Sequence, residues 1–340
     1  MTMRSNITTD VTIIGAGPVG LFAVFELGML KINAHVVDAL PSVGGQCSAL
    51  YPEKPIYDIP GFSSIAAQEL IDNLAAQAAP FNPTYHLGQQ VVKCEKLATG
   101  NWRLETSTGT VIESKAVIIA AGCGAFGPNR PPMQGLETYE GACVHYMVTK
   151  KDMFAGKTLV IAGGGDSAVD WANSLAPIAK KIYVVHRRDK FRAMPESVAQ
   201  MKTLEDSGKI EMVIPYQLDA LEGDGTQLQS VIVSNLEGEK KSLPADHLLA
   251  FFGLSMDLGP IANWGLNLHK NHITVNPTTA QTNEKGIFAI GDIATYEHKL
   301  KLILCGFSEA AFAAHQIYKI VHPDVELHFE YSTSKGVKVA

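Results

Sequence analysis

The 340-residue chain lacks features that mark several large classes of protein. Its five cysteines (Cys47, Cys94, Cys123, Cys143 and Cys305) are odd in number and scattered, with no C-x-x-C pair and no zinc spacing, which suits a reducing cytoplasm. The eleven histidines form no H-x-x-x-H pattern, and the nearest approach, His269 and His272, lies in a turn-like stretch, so no metal site is expected. Positive charge is also scarce: 28 Lys plus Arg stand against 34 Asp plus Glu, a formal net charge of −6. No general role on nucleic acid or an anionic membrane fits that balance, and any basic site must be local. Long uninterrupted apolar runs are missing as well. Residues 11–30 come closest, but Gly15, Gly17, Pro18, Gly20 and Glu26 break the run into a strand, a turn and a helix. Residues 1–10 are polar, with a single Arg4, and no small-residue cleavage site follows, so export is not expected.

What is present is a folded α/β composition: 46% hydrophobic residues, 18% charged residues and 30 glycines. The length predicts two domains, or one domain inserted into another. The run from Val11 to Ile14 enters Gly15-Ala-Gly-Pro-Val-Gly20, and residues 21–30 follow with helical composition. In this G-x-G-x-x-G, Gly15 permits a tight turn, Gly17 admits a pyrophosphate close to the backbone, and Gly20 lets the helix pack on the strand. A second apolar run, Ala34-His-Val-Val-Asp38, puts an acid 23 positions after Gly15, where a carboxylate can accept hydrogen bonds from a ribose.

The pattern recurs at Thr158-Leu-Val-Ile-Ala-Gly-Gly-Gly-Asp-Ser-Ala168, where Gly163, Gly165 and Ala168 hold the three turn positions and Asp166 and Ser167 open the following helix. The next strand ends at His186, 23 residues after Gly163, in the register that Asp38 holds in the first copy. The carboxylate is replaced there by His186-Arg-Arg-Asp-Lys-Phe-Arg192. Arg187, Arg188 and Arg192 beside a missing acid favour a 2′-phosphate, and hence NADP over NAD. FAD in the first copy and NADPH in the second is the simplest assignment.

Two further strand-like runs, Ala116-Val-Ile-Ile-Ala-Ala-Gly122 and Gly286-Ile-Phe-Ala-Ile-Gly-Asp292, fit a flavoprotein with two dinucleotides, with Asp292 a candidate for the ribityl chain or a flavin phosphate. The first turn and the Gly-Asp strand bracket the second turn, so the FAD-binding domain is expected to be discontinuous, residues 1–124 and 252–340, with an NADP-binding domain of residues 125–251 inserted. Pro- and Gly-rich joints near both boundaries support the division. The expected fold is α/β, with two Rossmann-like dinucleotide-binding domains of three-layer ββα type. Residues 64–79 read as an amphipathic helix and residues 217–243 as antiparallel strands turning at Gly223, Gly225 and Gly238.

With these motifs in place, the chain resembles the thioredoxin reductase-like class of ferredoxin–NADP reductases over essentially its whole length. The segments that carry the likeness are Gly44-Gly-Gln-Cys-Ser-Ala-Leu-Tyr-Pro-Glu-Lys-Pro-Ile-Tyr-Asp58, the second glycine turn, the His186 to Arg192 stretch, and Lys299-Leu-Lys-Leu-Ile-Leu-Cys-Gly-Phe-Ser-Glu-Ala310. The resemblance implies a homodimer that passes electrons between NADPH and a ferredoxin or flavodoxin through bound FAD. It places Asp38 on the adenosine ribose, Gln46 and Asp292 on the flavin and its ribityl chain, and Tyr51 on the isoalloxazine ring. Val91 and Phe126 become further FAD contacts. Tyr331-Ser-Thr-Ser334 looks like the family's tail, with Tyr331 covering the other flavin face, often from the partner subunit, and Thr333 touching FAD.

A thioredoxin reductase would need a dithiol before the second turn, and the matching stretch is His145-Tyr-Met-Val148; the glutathione-reductase arrangement fails because Cys47 has no second cysteine before Tyr51. Cys47 is expected to pack beside the flavin. Lys54, Lys299 and Lys301 are candidates for docking an acidic acceptor. A helix starting near Ser308 could direct its positive end at the reduced flavin, or could be a core helix with a Ser cap. Two other functions fit the same fold: an NADPH-dependent flavin oxidase or quinone reductase, and a regulator that binds FAD and NADP without turnover.

Overall fold

The computed structural model describes residues 7–133 and 135–327. The chain divides into two compact units, one built from the residues up to Phe126 and from Met256 onward, the other from Gly127–Ser255. It passes between them along the strands Ala125–Pro128 and Leu254–Asp257.

The first unit is organised by a seven-stranded sheet. Thr84–His86, Ala34–Val37, Ile7–Ile14 and Val111–Ile119 run parallel in that order, Ile287–Ala289 pairs in parallel with Val111–Ile119, and Trp102–Thr106 and Val91–Lys96 continue antiparallel. Strands covered on both faces are continuously apolar rather than alternating. Ala116–Ile119 shows this throughout, and Val11–Ile14 departs from it only at Thr12, whose buried hydroxyl donates to Ser114 Oγ at 3.1 Å. One face packs against helices Pro18–Met29 and Ile303–Val321 through Val24, Leu27, Ala310, Ala313 and Ile317. The other face packs Ile14, Val117 and Ile119 against Trp102, Leu258, Ile261 and Ile273. Parallel register sets Ile14 beside both Val37 and Ile119, so the residues that follow all emerge at one sheet edge: Gly15, Asp38 and Ala120. The crevice outside the carboxyl ends of such strands is where ligands bind in open α/β sheets.

The second unit repeats the plan with a five-stranded parallel sheet in the order Val144–His145, His247–Ala250, Thr158–Ala162, Lys181–Val185 and Ile210–Val213. An antiparallel meander, Gln217–Gly223, Leu228–Ser234 and Lys240–Pro244, adds a second layer. Its packing against the sheet runs through Val160, Leu228, Val231 and Leu248. Two elements differ from their sequence expectation. The amphipathic helix is Ala67–Ala78, because Ile65 and Ala66 pair with Pro55 and Ile56 as a short ribbon first. The last helix starts at Ile303 rather than near Ser308, because nothing in Ile303-Leu-Cys-Gly-Phe interrupts the helix and Ser308 falls inside it. Among the described residues no helix is long and apolar enough to cross a membrane.

Candidate functional site

The first glycine turn is built by contacts that only glycine permits. Gly15 has φ +110°, and a Cβ there would overlap the Ala120 carbonyl; one at Gly20 would overlap the Gly15 carbonyl. Gly17 caps helix Pro18–Met29 with no side-chain hydrogen bond, and a Cβ at Gly17 would meet only the Gly45 Cα, 4.0 Å away. The turn thus leaves open backbone and free helix N–H groups facing a cavity of about 370 Å³, within the ordinary range for a small-molecule site.

Asp38, at the end of the neighbouring strand, closes onto the same turn. Its Oδ2 accepts from Ala16 N–H at 2.6 Å and its Oδ1 from Leu40 N–H at 2.8 Å. Burial raises its pKa against these two lowering hydrogen bonds. Further along the cavity wall lie Gln46, Cys47, Tyr51, Val91, Gly122 and Asp292. Helix Gln46–Leu50 begins at Gly45, and its Gln46 amide nitrogen stands 3.3 Å from the Cβ position of Gly122. Tyr51 follows that helix, with the Lys54 ammonium 5.8 Å from its ring centre. Cys47 is buried, its thiol 3.8 Å from the Tyr51 hydroxyl and pushed up to about 11 by burial, so it stays protonated and unreactive near neutrality. Burial likewise raises the Tyr51 hydroxyl far above its usual range. Asp292 is raised by burial first; Lys301 and Lys299 act to lower it and Glu309 to raise it.

The structure brings Gly15, Gly17, Asp38, Gln46, Tyr51, Val91 and Asp292 to one cavity. Gly20 supports the turn from inside without lining the cavity. The Phe126 side chain, Tyr331 and Thr333 lie outside the described residues. The chain's own groups fit a dinucleotide with a flavin at one end: a Cβ-free cradle, an acid for a ribose diol, and an aromatic, an amide and a carboxylate at the far end.

In the second unit, Gly163 has φ +153°, with the Phe251 carbonyl 2.6 Å from its Cβ position. Gly165 caps helix Asp166–Leu175 with nothing within 4 Å of its Cβ position. The imidazole of His186 lies directly against Gly164, in the place the acid holds in the first unit. Arg192 N–H donates to the Gly164 carbonyl at 2.7 Å and Met194 N–H to Asp166 Oδ1 at 2.9 Å, folding the basic stretch back onto the turn. Arg187, Arg188 and Arg192 are exposed, as are Asp166 and Ser167, and no carboxylate of the described residues pairs with the three guanidiniums. Burial is the largest cause lowering the His186 pKa, and all three guanidiniums act on it in the same direction.

Two features escaped the sequence. Lys299 is not an exposed docking residue: its side chain is 4% exposed and ion-paired with Glu309, a residue supplied by the last helix. Histidines from neighbouring strands also pair, His35 Nδ1 with His86 Nε2 at 3.0 Å and His145 Nε2 with His247 Nδ1 at 3.1 Å. Both pairs join residues far apart in the chain, and no local pattern signals them. Among the described residues no group of three metal-ligating side chains gathers, and all five cysteines are free.

Comparison with known proteins agrees with this geometry. Residues 9–313 match the family model described as pyridine nucleotide-disulphide oxidoreductase. A ferredoxin–NADP reductase of Paramagnetospirillum magneticum is 60% identical over 329 residues, spanning 97% of this chain and 98% of that one. A ferredoxin–NADP reductase of Rhodospirillum rubrum is 57% identical over 340 residues, spanning 99% of both. Among solved structures, the thioredoxin reductase of Lactococcus lactis superposes with a TM-score of 0.79 at 25% identity, over 92% of this chain and 99% of that one. The chain belongs to the pyridine nucleotide-disulphide oxidoreductase family, among its ferredoxin–NADP reductases of thioredoxin reductase-like fold.

Proposed function

We propose that this protein is a ferredoxin–NADP reductase, an FAD enzyme that moves electrons between NADPH and ferredoxin. The observation that carries the reading is the first cavity: a dinucleotide turn closed by Asp38 at one end and Tyr51 with Asp292 at the other, with a single buried thiol where a disulfide reductase needs two. Near-full-length identity to two ferredoxin–NADP reductases supports it.

Bound FAD supplies the chemistry, accepting an electron pair as hydride and delivering electrons singly. The chain's own residues bind and orient. Gly15 and Gly17 present the helix N-terminus to the pyrophosphate, and Asp38 accepts from the adenosine ribose. Gln46, Val91 and Asp292 would hold the flavin and ribityl end, and Tyr51 would lie against the ring and exclude water from it. The proposal extends to Phe126, Tyr331 and Thr333 as further FAD contacts. In the second unit Gly163, Gly165 and the backbone N–H groups of Asp166 and Ser167 would receive the NADPH pyrophosphate, and Arg187, Arg188 and Arg192 its 2′-phosphate. The residues up to 124 and from 252 form the FAD-binding domain, and residues 125–251 the NADP-binding domain. A homodimer in the cytoplasm, with flavodoxin as an alternative acceptor, completes the proposal.

The test is cytochrome c reduction by the purified yellow protein with NADPH or NADH, with and without added ferredoxin. A strong preference for NADPH and a rate that depends on ferredoxin are expected. A rate that ignores several ferredoxins and a flavodoxin, while oxygen or a quinone drains the flavin, would replace this reading with an NADPH-dependent flavin oxidase or quinone reductase.

A further inference from the structure

We infer that Glu309 is a positioning residue that fixes the cavity-facing Gly291–Asp292 turn. Glu309 lies on helix Ile303–Val321 and is 3% exposed. Three donors from one short segment converge on its carboxylate. Gly291 N–H donates to Oε2 at 2.8 Å, the Tyr296 hydroxyl donates to Oε1 at 2.8 Å, and the Lys299 ammonium donates to the same Oε1.

The turn it holds is unusual backbone. Gly291 has φ +74°, and it precedes Asp292, whose carboxylate shares the cavity wall with Gln46 and Tyr51. One turn of helix before Glu309, Gly306 packs against the turn so closely that its Cβ position is 3.3 Å from the Gly291 Cα. The helix therefore grips the turn twice, by backbone contact at Gly306 and by hydrogen bond at Glu309. The ammonium of Lys299 compensates the carboxylate, so the clamp adds no net charge next to Asp292. A buried ion pair is a weak source of stability, because desolvation offsets most of the attraction. What this one secures is the Gly291 N–H, which no other described group accepts, and through it the direction of Asp292. The inference rests on the reading that the cavity holds FAD.

The test compares three flavin-loaded proteins: wild type, E309Q/K299M and E309L/K299M. The first double variant removes both charges and keeps an acceptor for Gly291 N–H; the second removes the acceptor as well. FAD release on dilution is followed by flavin fluorescence, beside the midpoint potential of the bound flavin and the thermal midpoint. E309L/K299M is expected to release FAD about tenfold faster with a displaced potential, whatever its thermal midpoint, while E309Q/K299M stays within twofold of wild type. Wild-type release and potential in E309L/K299M would overturn the inference. So would tenfold faster release from E309Q/K299M, which decides the matter by itself if E309L/K299M does not fold. Hydrogen exchange of the Gly291 amide in the wild-type protein gives an independent reading. Protection comparable with the central sheet supports the clamp, and exchange at surface-loop rates contradicts it. A wild-type protein purified without flavin would instead refute the FAD reading.

Discussion

The two glycine turns share one backbone device and differ in what closes them. In the first unit the residue 23 positions after the leading glycine is Asp38, whose carboxylate accepts from the turn's own Ala16 N–H and which lines a cavity of about 370 Å³. In the second it is His186, whose ring lies on Gly164 while Arg187, Arg188 and Arg192 stand exposed beside it. The same strand, turn and helix thus gives a half-buried acid for a diol in one place and an exposed cationic stretch for a phosphate in the other. The difference suits the two roles in the proposed reaction: a cofactor that stays and a cofactor that comes and goes.

The largest expected effect breaks the shared device. Gly15→Ala puts a side chain into the Ala120 carbonyl at φ +110°, and a loss of about 3 kcal/mol or more in unfolding free energy is expected, with little flavin-loaded protein recovered. Gly165→Ala is the matching change in the open turn: φ is −101° and no atom lies within 4 Å, so thermal unfolding is unchanged within about 0.5 kcal/mol while NADPH binding weakens. Equal losses of stability from the two would erase the contrast.

Next come the groups that close each turn. Replacing Arg187 and Arg188 by Ala removes charge-assisted contacts, which at roughly 1.5–3 kcal/mol predicts a 10- to 100-fold rise in KM for NADPH. Steady-state kinetics should show kcat/KM for NADH nearly unchanged. Asp38→Asn keeps an acceptor for Ala16 N–H but loses the charge facing the ribose, and FAD release about threefold to tenfold faster is expected by flavin fluorescence.

How much of this was legible in the sequence follows from where the partners lie. The turns, Asp38 and the arginines are set by spacing along one strand, turn and strand, so counting residues located them. Lys299 was misread because its partner, Glu309, comes from the next helix, and a lysine beside a Gly-Asp motif looks the same whether it faces water or a buried carboxylate. The helix start was placed five residues late because Ser308 reads as a cap, although Gly306 is already inside the helix, where it allows close approach to Gly291. The histidine pairs were invisible because strand order in a parallel sheet, not sequence distance, brings His145 to His247.

That last pair gives the smallest effect. Burial lowers both imidazoles, His145 to about 4 from an ordinary 6.5, so the folded protein binds fewer protons than the unfolded chain between those values. Stability is complete above about pH 6.5 and falls as the pH drops towards about 4. The loss is on the order of 1 kcal/mol after solvent screening of a partly exposed pair. Thermal unfolding across that range should show a shallower decline in H145F than in wild type; parallel curves would remove the pair from the account.

The central claim is that the closed turn keeps its dinucleotide and the open turn exchanges one chosen by a 2′-phosphate. Its most direct test is equilibrium titration of gel-filtered protein with NADP⁺ and with NAD⁺, with bound flavin measured on the same sample. The account predicts about one FAD per chain retained through filtration, and NADP⁺ bound at least about tenfold more tightly than NAD⁺, in line with a charge-assisted phosphate contact. Flavin lost on filtration, or the two nicotinamide nucleotides bound equally, would contradict it.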